Sequence, residues 1–262
     1  MKLGCCINML ADKKDAIGSR YIPMLKEAGY DYVEMPLAEM MSLSDKEFSQ
    51  LVKTLETYGL PCLCCNNFFP ASLRLTGPEV DLQAVERYVY KAVERASCLG
   101  VEKIVFGSGR AKNIPEGYPY EKAFQQLIDL LKMIDAYTVP KQISVVLEPL
   151  NKDESNLIIN ISEAEELMKR SGCKSVFQLV DYYHFIKEED SFITLKAVIK
   201  NIRHVHFAEP RGRVFPVEKK EEYNRFFQLL KENGYNGTVS MEAYSAAPEQ
   251  DLLKAMFLKE YF

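Results

Sequence analysis

The chain has no tryptophan and only three histidines among its 262 residues. Any aromatic floor under a ligand must therefore come from its 14 Phe or 15 Tyr. No run of about 18 apolar residues occurs, which excludes a membrane-spanning helix. An excess of positive charge is also missing. The formal net charge of −4 leaves no electrostatic footprint for nucleic acid or for an anionic membrane surface. The P-loop, G-x-S-x-G and H-E-x-x-H patterns are absent, and the lone G-x-G at Gly107-Ser108-Gly109 lacks the rest of a dinucleotide fingerprint. The seven cysteines contain no paired C-x-x-C motifs, so a zinc knuckle is excluded and reduced, mostly buried thiols are expected. Residues Met1 to Asn8 carry one basic residue and an apolar stretch too short for a secretory signal core. They read as a first strand, and the expected location is cytoplasmic.

What the chain does contain is a repeated phrase: an amphipathic helix ends, a glycine follows, and a strand begins shortly after. Gly29, Gly59, Gly100, Gly172 and Gly234 each occupy this position, where a left-handed cap costs glycine nothing. Helix starts are marked at Ser44-Asp45-Lys46-Glu47 and Ser162-Glu163-Ala164-Glu165, both with capping-box spacing. Val85, Val89, Ala92 and Ala96, and then Phe124, Leu127, Leu130, Leu131 and Ile134, recur at helical period. Eight apolar strands centred near residues 5, 33, 63, 104, 145, 178, 205 and 240 alternate with eight helices. Strict alternation implies a parallel α/β sheet buried on both faces. The repeat length predicts a (β/α)8 TIM barrel, a single domain over residues 1–262, with a doubly wound open sheet as the alternative. The longer connections, about Asn66 to Val80, Ser108 to Pro119 and Ala208 to Glu218, follow strands 3, 4 and 7 and are expected to cover a ligand.

Glu148, Asp181, His206 and Glu242 lie one per segment at or just past strand ends, at intervals of roughly one βα unit. Barrel closure would gather them around one ion. A mostly oxygen donor set points to Mn²⁺ first, with Mg²⁺, Co²⁺ or Zn²⁺ as alternatives. Such an ion acts as a Lewis acid on a carbonyl or hydroxyl oxygen. Taken singly, each of these residues reads more readily as a surface or capping group than as a ligand. His204 shares the face of His206 one layer deeper and is expected to be an interior hydrogen-bonded residue, while His184 follows Asp181 on a turn within reach of anything on the ion, or serves as a ligand in a two-metal site. Glu34 ends the second strand and either contacts a substrate hydroxyl or caps the next turn. Arg110 is a phosphate or carboxylate contact or a solvated loop cation.

Leu147-Glu148-Pro149-Leu150-Asn151, Val180-Asp181-Tyr182-Tyr183-His184, His204-Val205-His206 and Met241-Glu242-Ala243 resemble the xylose-isomerase-like TIM barrels, a group of sugar phosphate isomerases and epimerases, and among them the ketose 3-epimerases of the tagatose and allulose type. The resemblance implies that Glu148, Asp181, His206 and Glu242 hold one Mn²⁺-like ion. It implies further that Glu148 and Glu242 move a proton off and onto the carbon next to a carbonyl, through a metal-stabilised enediolate. Glu154, His184 and either Arg211 or Arg213 would contact the sugar or sugar phosphate, and the assembly would be a homodimer or homotetramer. The loop Ala208-Glu209-Pro210-Arg211-Gly212-Arg213 is more similar to the hydroxypyruvate isomerase branch. A hydroxypyruvate-isomerase-like enzyme, or a lyase or dehydratase on the same site (an inosose dehydratase or a C-glycoside-cleaving subunit), are the alternatives. An endonuclease IV-like nuclease needs more histidines and a basic groove, and a silent sugar-binding protein would turn nothing over.

Overall fold

The computed structural model describes all residues 1–262. Eight parallel strands close in sequence order into a barrel. They are β1 (Lys2–Cys6), β2 (Tyr32–Pro36), β3 (Cys62–Asn66), β4 (Lys103–Phe106), β5 (Ser144–Leu147), β6 (Val176–Asp181), β7 (Ile202–Phe207) and β8 (Thr238–Met241). The pairing of β1 with β8 closes the sheet and excludes the open doubly wound alternative. The helices are α1 (Ile22–Ala28), α2 (Leu37–Met40), α3 (Asp45–Tyr58), α4 (Leu82–Cys98), α5 (Gly109–Lys112), α6 (Tyr120–Thr138), α7 (Ile161–Ser171), α8 (Tyr182–Lys187), α9 (Phe192–Val198), α10 (Glu221–Glu232) and α11 (Pro248–Lys254). Three of these, α2, α5 and α8, are short turns close behind β2, β4 and β6. The other eight follow the eight strands one for one and form the outer layer. None is long and apolar enough to cross a membrane.

The outward faces of the strands carry the main core. Leu3, Cys5, Val33, Met35, Ile104, Phe106, Val145, Leu147, Val205, Phe207, Val239 and Met241 join the inner helix faces in one cluster of 68 buried residues. Each fully buried Val, Leu or Phe contributes about 1.5–3 kcal/mol relative to exposure, which is what holds helices to barrel. The inward faces differ around the ring. Val105, Val146 and Leu179, on β4 to β6, make a small apolar plug. On the β1, β2, β7 and β8 side the interior is polar, with Tyr32 donating or accepting at Ser240 Oγ over 2.7 Å. Gly4 is required there, because a Cβ would overlap the Tyr32 ring.

The capping box at Ser44 forms: Glu47 N donates to Ser44 Oγ at 3.3 Å and Ser44 N to Glu47 Oε2 at 2.8 Å. The one expected at Ser162 does not. Asn160 caps α7 instead, accepting from Glu163 N at 2.9 Å, and Ser162 falls inside the first turn. Asn is at least as good a cap as Ser, and Glu163 then occupies the position from which it reaches back to Ile159 N. Two further long connections were not expected from sequence, residues 7–21 after β1 and 148–160 after β5. The second hides because Leu150, Leu157 and Ile158 are buried in it and mimic an element.

Candidate metal centre and active site

The barrel brings the four expected ligands to one place. Glu148 directly follows β5, Asp181 ends β6, His206 lies in β7, and Glu242 directly follows β8. One donor atom from each lies within 4.8 Å of the other three, and all four residues are buried. Parallel strands that close in a ring point their C-terminal ends at one rim, so residues far apart in sequence converge. His206 Nδ1 stands 2.9 Å from Glu148 Oε1 and 3.1 Å from Glu242 Oε2.

Three buried carboxylates this close repel one another. Burial pushes the Asp181 carboxyl up to about 8, reinforced by Glu242 and Glu148 and only partly opposed by Arg213. Burial and the Glu242 charge also raise Glu148. Burial would raise Glu242 as well, but His206 and Arg213 reverse it and hold that carboxyl well below the usual range. The His206 imidazole is raised despite burial, because Glu242, Cys6, Glu34 and Glu148 all favour its charge.

The donor set fits a divalent cation. Together with Glu34 beneath them, the rim carboxylates make four buried acids, and near the rim the fold sets two basic side chains against them, Arg213 and Lys112. A dication offsets the difference while leaving every imidazole neutral, as metal ligation requires. Glu148, Asp181, His206 and Glu242 would hold it.

Around this centre the two arginines are placed differently. Arg211 is exposed at the loop tip. Arg213 takes a left-handed φ of 51° that turns its side chain inward. Its Nη2 lies 2.5 Å from Glu242 Oε2 and 3.5 Å from Asp181 Oδ2, and its Nη1 3.4 Å from Glu154 Oε1. The guanidinium sits 4.9 Å above the Tyr183 ring, a cation–π contact that helps hold it in place. Arg213 Nε is buried and has no protein acceptor. Asn67, Ser108 and Ile158 share the left-handed region with Arg213 on other loops of the same face. Such residues cost about 1–3 kcal/mol each and concentrate where a site needs unusual aim.

His184 stands 3.6 Å from Asp181 Oδ2 through Nε2, which has no hydrogen-bond partner. Its other nitrogen, Nδ1, accepts from Asn151 N at 3.2 Å and Asn151 Nδ2 at 2.8 Å. Two donors on Nδ1 leave the ring proton on Nε2, aimed at the site. Burial, then the charge of Arg213, keeps this imidazole neutral by lowering it well below its ordinary value. Asn151 Nδ2 also donates to Glu154 Oε1 at 2.8 Å, so one amide ties together two expected substrate contacts. Its role was not read from the sequence, although it closes the Leu147 to Asn151 motif.

Glu34 is not where the sequence placed it. The second strand runs two residues further, to Pro36, so Glu34 faces the barrel interior one layer below the rim, fully buried. It neither caps a turn nor is open to a substrate hydroxyl. Its Oε2 accepts from His204 Nε2 at 2.8 Å and Ser240 Oγ at 2.5 Å, and its Oε1 from His206 Nε2 at 2.9 Å. Burial works against its charge, but His206 and His204 more than reverse this and hold the carboxyl below the carboxylate range. His204 is the interior hydrogen-bonded residue expected, with Thr238 Oγ1 2.7 Å from its Nδ1. Arg110 is exposed, its carbonyl accepting from Arg74.

Three more residues of the wall escaped the sequence reading. Asn66 Nδ2 lies 3.4 Å from Glu242 Oε1, and its buried Oδ1 is unpartnered. Lys112 is fully buried, donates to the Gly107 carbonyl, and is lowered to about 8 by burial against the pull of Glu148 and Glu154. Gly107 backs Glu148 so closely that a Cβ would overlap its Oε2. Asn66 and Gly107 were marked only by the apolar strand run ahead of them and Lys112 by nothing in the sequence around it, and no such pattern distinguishes a site wall from a loop.

A model of the family described as "Xylose isomerase-like TIM barrel" matches residues 22–261. A ketose 3-epimerase of Arthrobacter globiformis is 24% identical over 255 residues, covering 94% of this chain and 85% of the relative. A hydroxypyruvate isomerase of Escherichia coli is 24% identical over 157 residues, 59% of this chain and 60% of the relative. Among solved structures, a D-allulose 3-epimerase from Methylomonas sp. in complex with D-allulose superposes with a TM-score of 0.87 at 19% identity, covering 100% of this chain and 97% of that one.

Proposed function

For a chain that belongs to the xylose isomerase-like TIM barrel family, we propose the work of a divalent-metal-dependent sugar epimerase or isomerase that moves a proton at the carbon next to a carbonyl. The chain is an enzyme of the isomerase and epimerase kind. The observation that carries the finer reading is the convergence of Glu148, Asp181, His206 and Glu242 donor atoms within 4.8 Å. When bound there, a divalent ion, Mn²⁺ by preference, supplies Lewis-acid polarisation of the substrate's oxygens.

This chain's own residues do the rest. Glu148 and Glu242 come from strand ends on different sides of the ring and present two carboxylates to one bound carbon. One takes its proton and the other returns a proton to the opposite face, the general acid and base the reaction needs. Their environments already push their proton affinities apart, Glu148 upward and Glu242 downward, which is how one site holds an acid and a base at the same pH. His184 donates its unpartnered Nε2 proton, and Arg213 its free Nε proton, to substrate oxygens. These fixed donors favour charge developing on oxygen without reorganisation. Glu154 accepts from a sugar hydroxyl. Burial of the carboxylates keeps water from competing for the proton. The substrate is a small sugar or sugar phosphate, and a homodimer or homotetramer is part of the same proposal.

The test is proton–deuterium exchange at carbon in D₂O with added Mn²⁺, chelated before the NMR spectrum, across ketoses and short hydroxy-ketones. Exchange in wild type and its loss by about 10²–10⁴-fold in Glu148→Gln and Glu242→Gln is the expected result. Full exchange in either variant would sink the assignment. The hydroxypyruvate isomerase relative favours a second reading, a ketol isomerase on the same residues. Exchange at hydroxypyruvate but at no ketohexose would select it, and loss of water or of an aglycone would select a lyase.

A further inference from the structure

Beneath the rim, four residues of β2, β7 and β8 form a closed cage. Glu34 is its centre, and its two oxygens receive three donors: His204 Nε2 at 2.8 Å, Ser240 Oγ at 2.5 Å and His206 Nε2 at 2.9 Å. Glu34, His204, His206 and Ser240 are all fully buried, so no water competes and no substrate reaches the carboxylate. Each partner of Glu34 is itself pinned. Tyr32 OH stands 2.7 Å from Ser240 Oγ, and Thr238 Oγ1 2.7 Å from His204 Nδ1.

Only His206 reaches both layers. Its Nε2 faces Glu34 below, and its Nδ1 faces Glu148 and Glu242 above. A neutral imidazole carries one proton, and the nitrogen that holds it cannot bind a cation. A carboxylate can only accept. Glu148 and Glu242 face Nδ1 as acceptors too, at 2.9 and 3.1 Å, but a cation that took up their oxygens would leave Glu34 to hold the ring proton on Nε2, with the Nδ1 lone pair at the rim. The hydrogen bond also fixes the ring plane and makes Nδ1 more basic.

We propose that Glu34 is the positioning residue of the metal centre: held as an acceptor by Ser240 and His204, it selects the His206 tautomer that can ligate a divalent cation, although it touches neither the ion nor the substrate. This rests on the metal reading given above. A glutamine at position 34 cannot do the same. Its amide offers one acceptor and one donor to two imidazole nitrogens that both require an acceptor, so one ring must turn its proton the other way.

The experiment measures binding rather than turnover. Mn²⁺ affinity is read by equilibrium dialysis on wild type, Glu34→Gln and Ser240→Ala, and imidazole ¹⁵N spectra are read with diamagnetic Mg²⁺ or Zn²⁺. With only three histidines in the chain, each ring can be followed. The expected result is a fall in Mn²⁺ affinity of about 10–100-fold for Glu34→Gln. A smaller fall in the same direction is expected for Ser240→Ala, which removes one support of Glu34 and leaves His206 untouched. In wild type His206 should carry its proton on Nε2, and in Glu34→Gln a second tautomer should appear at His204 or His206. If Glu34→Gln fails to fold, Ser240→Ala decides by the same two readouts. Affinity within twofold of wild type in the folded variants, with unchanged histidine spectra, overturns the role of Glu34 and leaves the proposed function standing. A wild type that binds no divalent cation overturns both.

Discussion

Two layers of polar side chains are stacked inside this barrel, and they differ in how completely they are satisfied. In the lower layer, Glu34, His204 and Ser240 each find partners within 2.5 to 2.8 Å, from β2, β7 and β8. In the upper layer, three carboxylates crowd one imidazole, and His184 Nε2, Arg213 Nε and Asn66 Oδ1 have no partner. Both layers are buried, so exposure does not explain the difference. A buried polar group left unpaired costs about 1–3 kcal/mol, and a fold that tolerates several side by side keeps them for a ligand. The lower layer is satisfied within the protein, and the upper one is the layer that the proposed cation and oxygen-rich substrate would satisfy.

Substitutions should therefore have opposite signs in the two layers. The largest stability effect is expected from Glu34→Ala, which leaves two imidazoles and a hydroxyl facing a hole. It should cost about 3–5 kcal/mol in denaturant unfolding, and a loss below about 1 kcal/mol would erase the contrast. In the metal-free protein above about pH 8, where the folded-state Asp181 carboxyl is ionised, Asp181→Asn should instead raise the unfolding midpoint, since it removes a charge that its neighbours repel, while abolishing metal binding at any pH.

The next expectation concerns pH. The folded-state Asp181 carboxyl is raised to about 8, above its value of about 4 in an unfolded chain. Between these values the folded, metal-free protein holds a proton that the unfolded chain has lost. Its stability must then fall as pH rises through that window. A cation has to displace the same proton, so Mn²⁺ affinity should climb from about pH 6 to about pH 8 and then level. Calorimetric titrations at three pH values in buffers of different ionisation heat check both the trend and the proton released. A flat profile would place Asp181 outside the coordination shell.

Smaller effects should come from the edges of the upper layer. Asn151→Asp replaces one of the two donors on His184 Nδ1, the side-chain amide, by an acceptor, drawing the ring proton to Nδ1 so that Nε2 no longer donates. A fall of about 10–100-fold in kcat/KM is expected, with Mn²⁺ affinity unchanged, because Asn151 reaches Glu154 and His184 but none of the four ligands. The smallest change is expected from Arg211→Ala, within about twofold of wild type in any assay, as for most surface substitutions. A large loss there would mean that the 208–213 loop closes differently over substrate.

The local chemistry was legible because it depends on neighbours in sequence. Glycine after each helix, apolar period along each helix, and continuous apolar runs in each strand report burial on both faces, and the eight-unit count follows from them. Glu148, Asp181, His206 and Glu242 were legible for the same reason, since each marks the end of an apolar run. Depth was not legible. Glu34 and Glu242 both follow short apolar stretches, yet one supports the site and the other lines it, because β2 continues for two residues past Glu34 and β8 stops just before Glu242. Nor could spacing show that Arg213, and not Arg211, reaches the Glu154, Asp181 and Glu242 carboxylates from a residue in the left-handed region.

By itself the sequence determined the eight βα units, their order and the four candidate ligands, because alternation and helix ends are written residue by residue. Only the closed barrel decided which side chains share a layer, which nitrogen of His206 faces the rim, and which polar atoms stay unpaired. Those depend on strand register and on partners more than a hundred residues away, which no local pattern records.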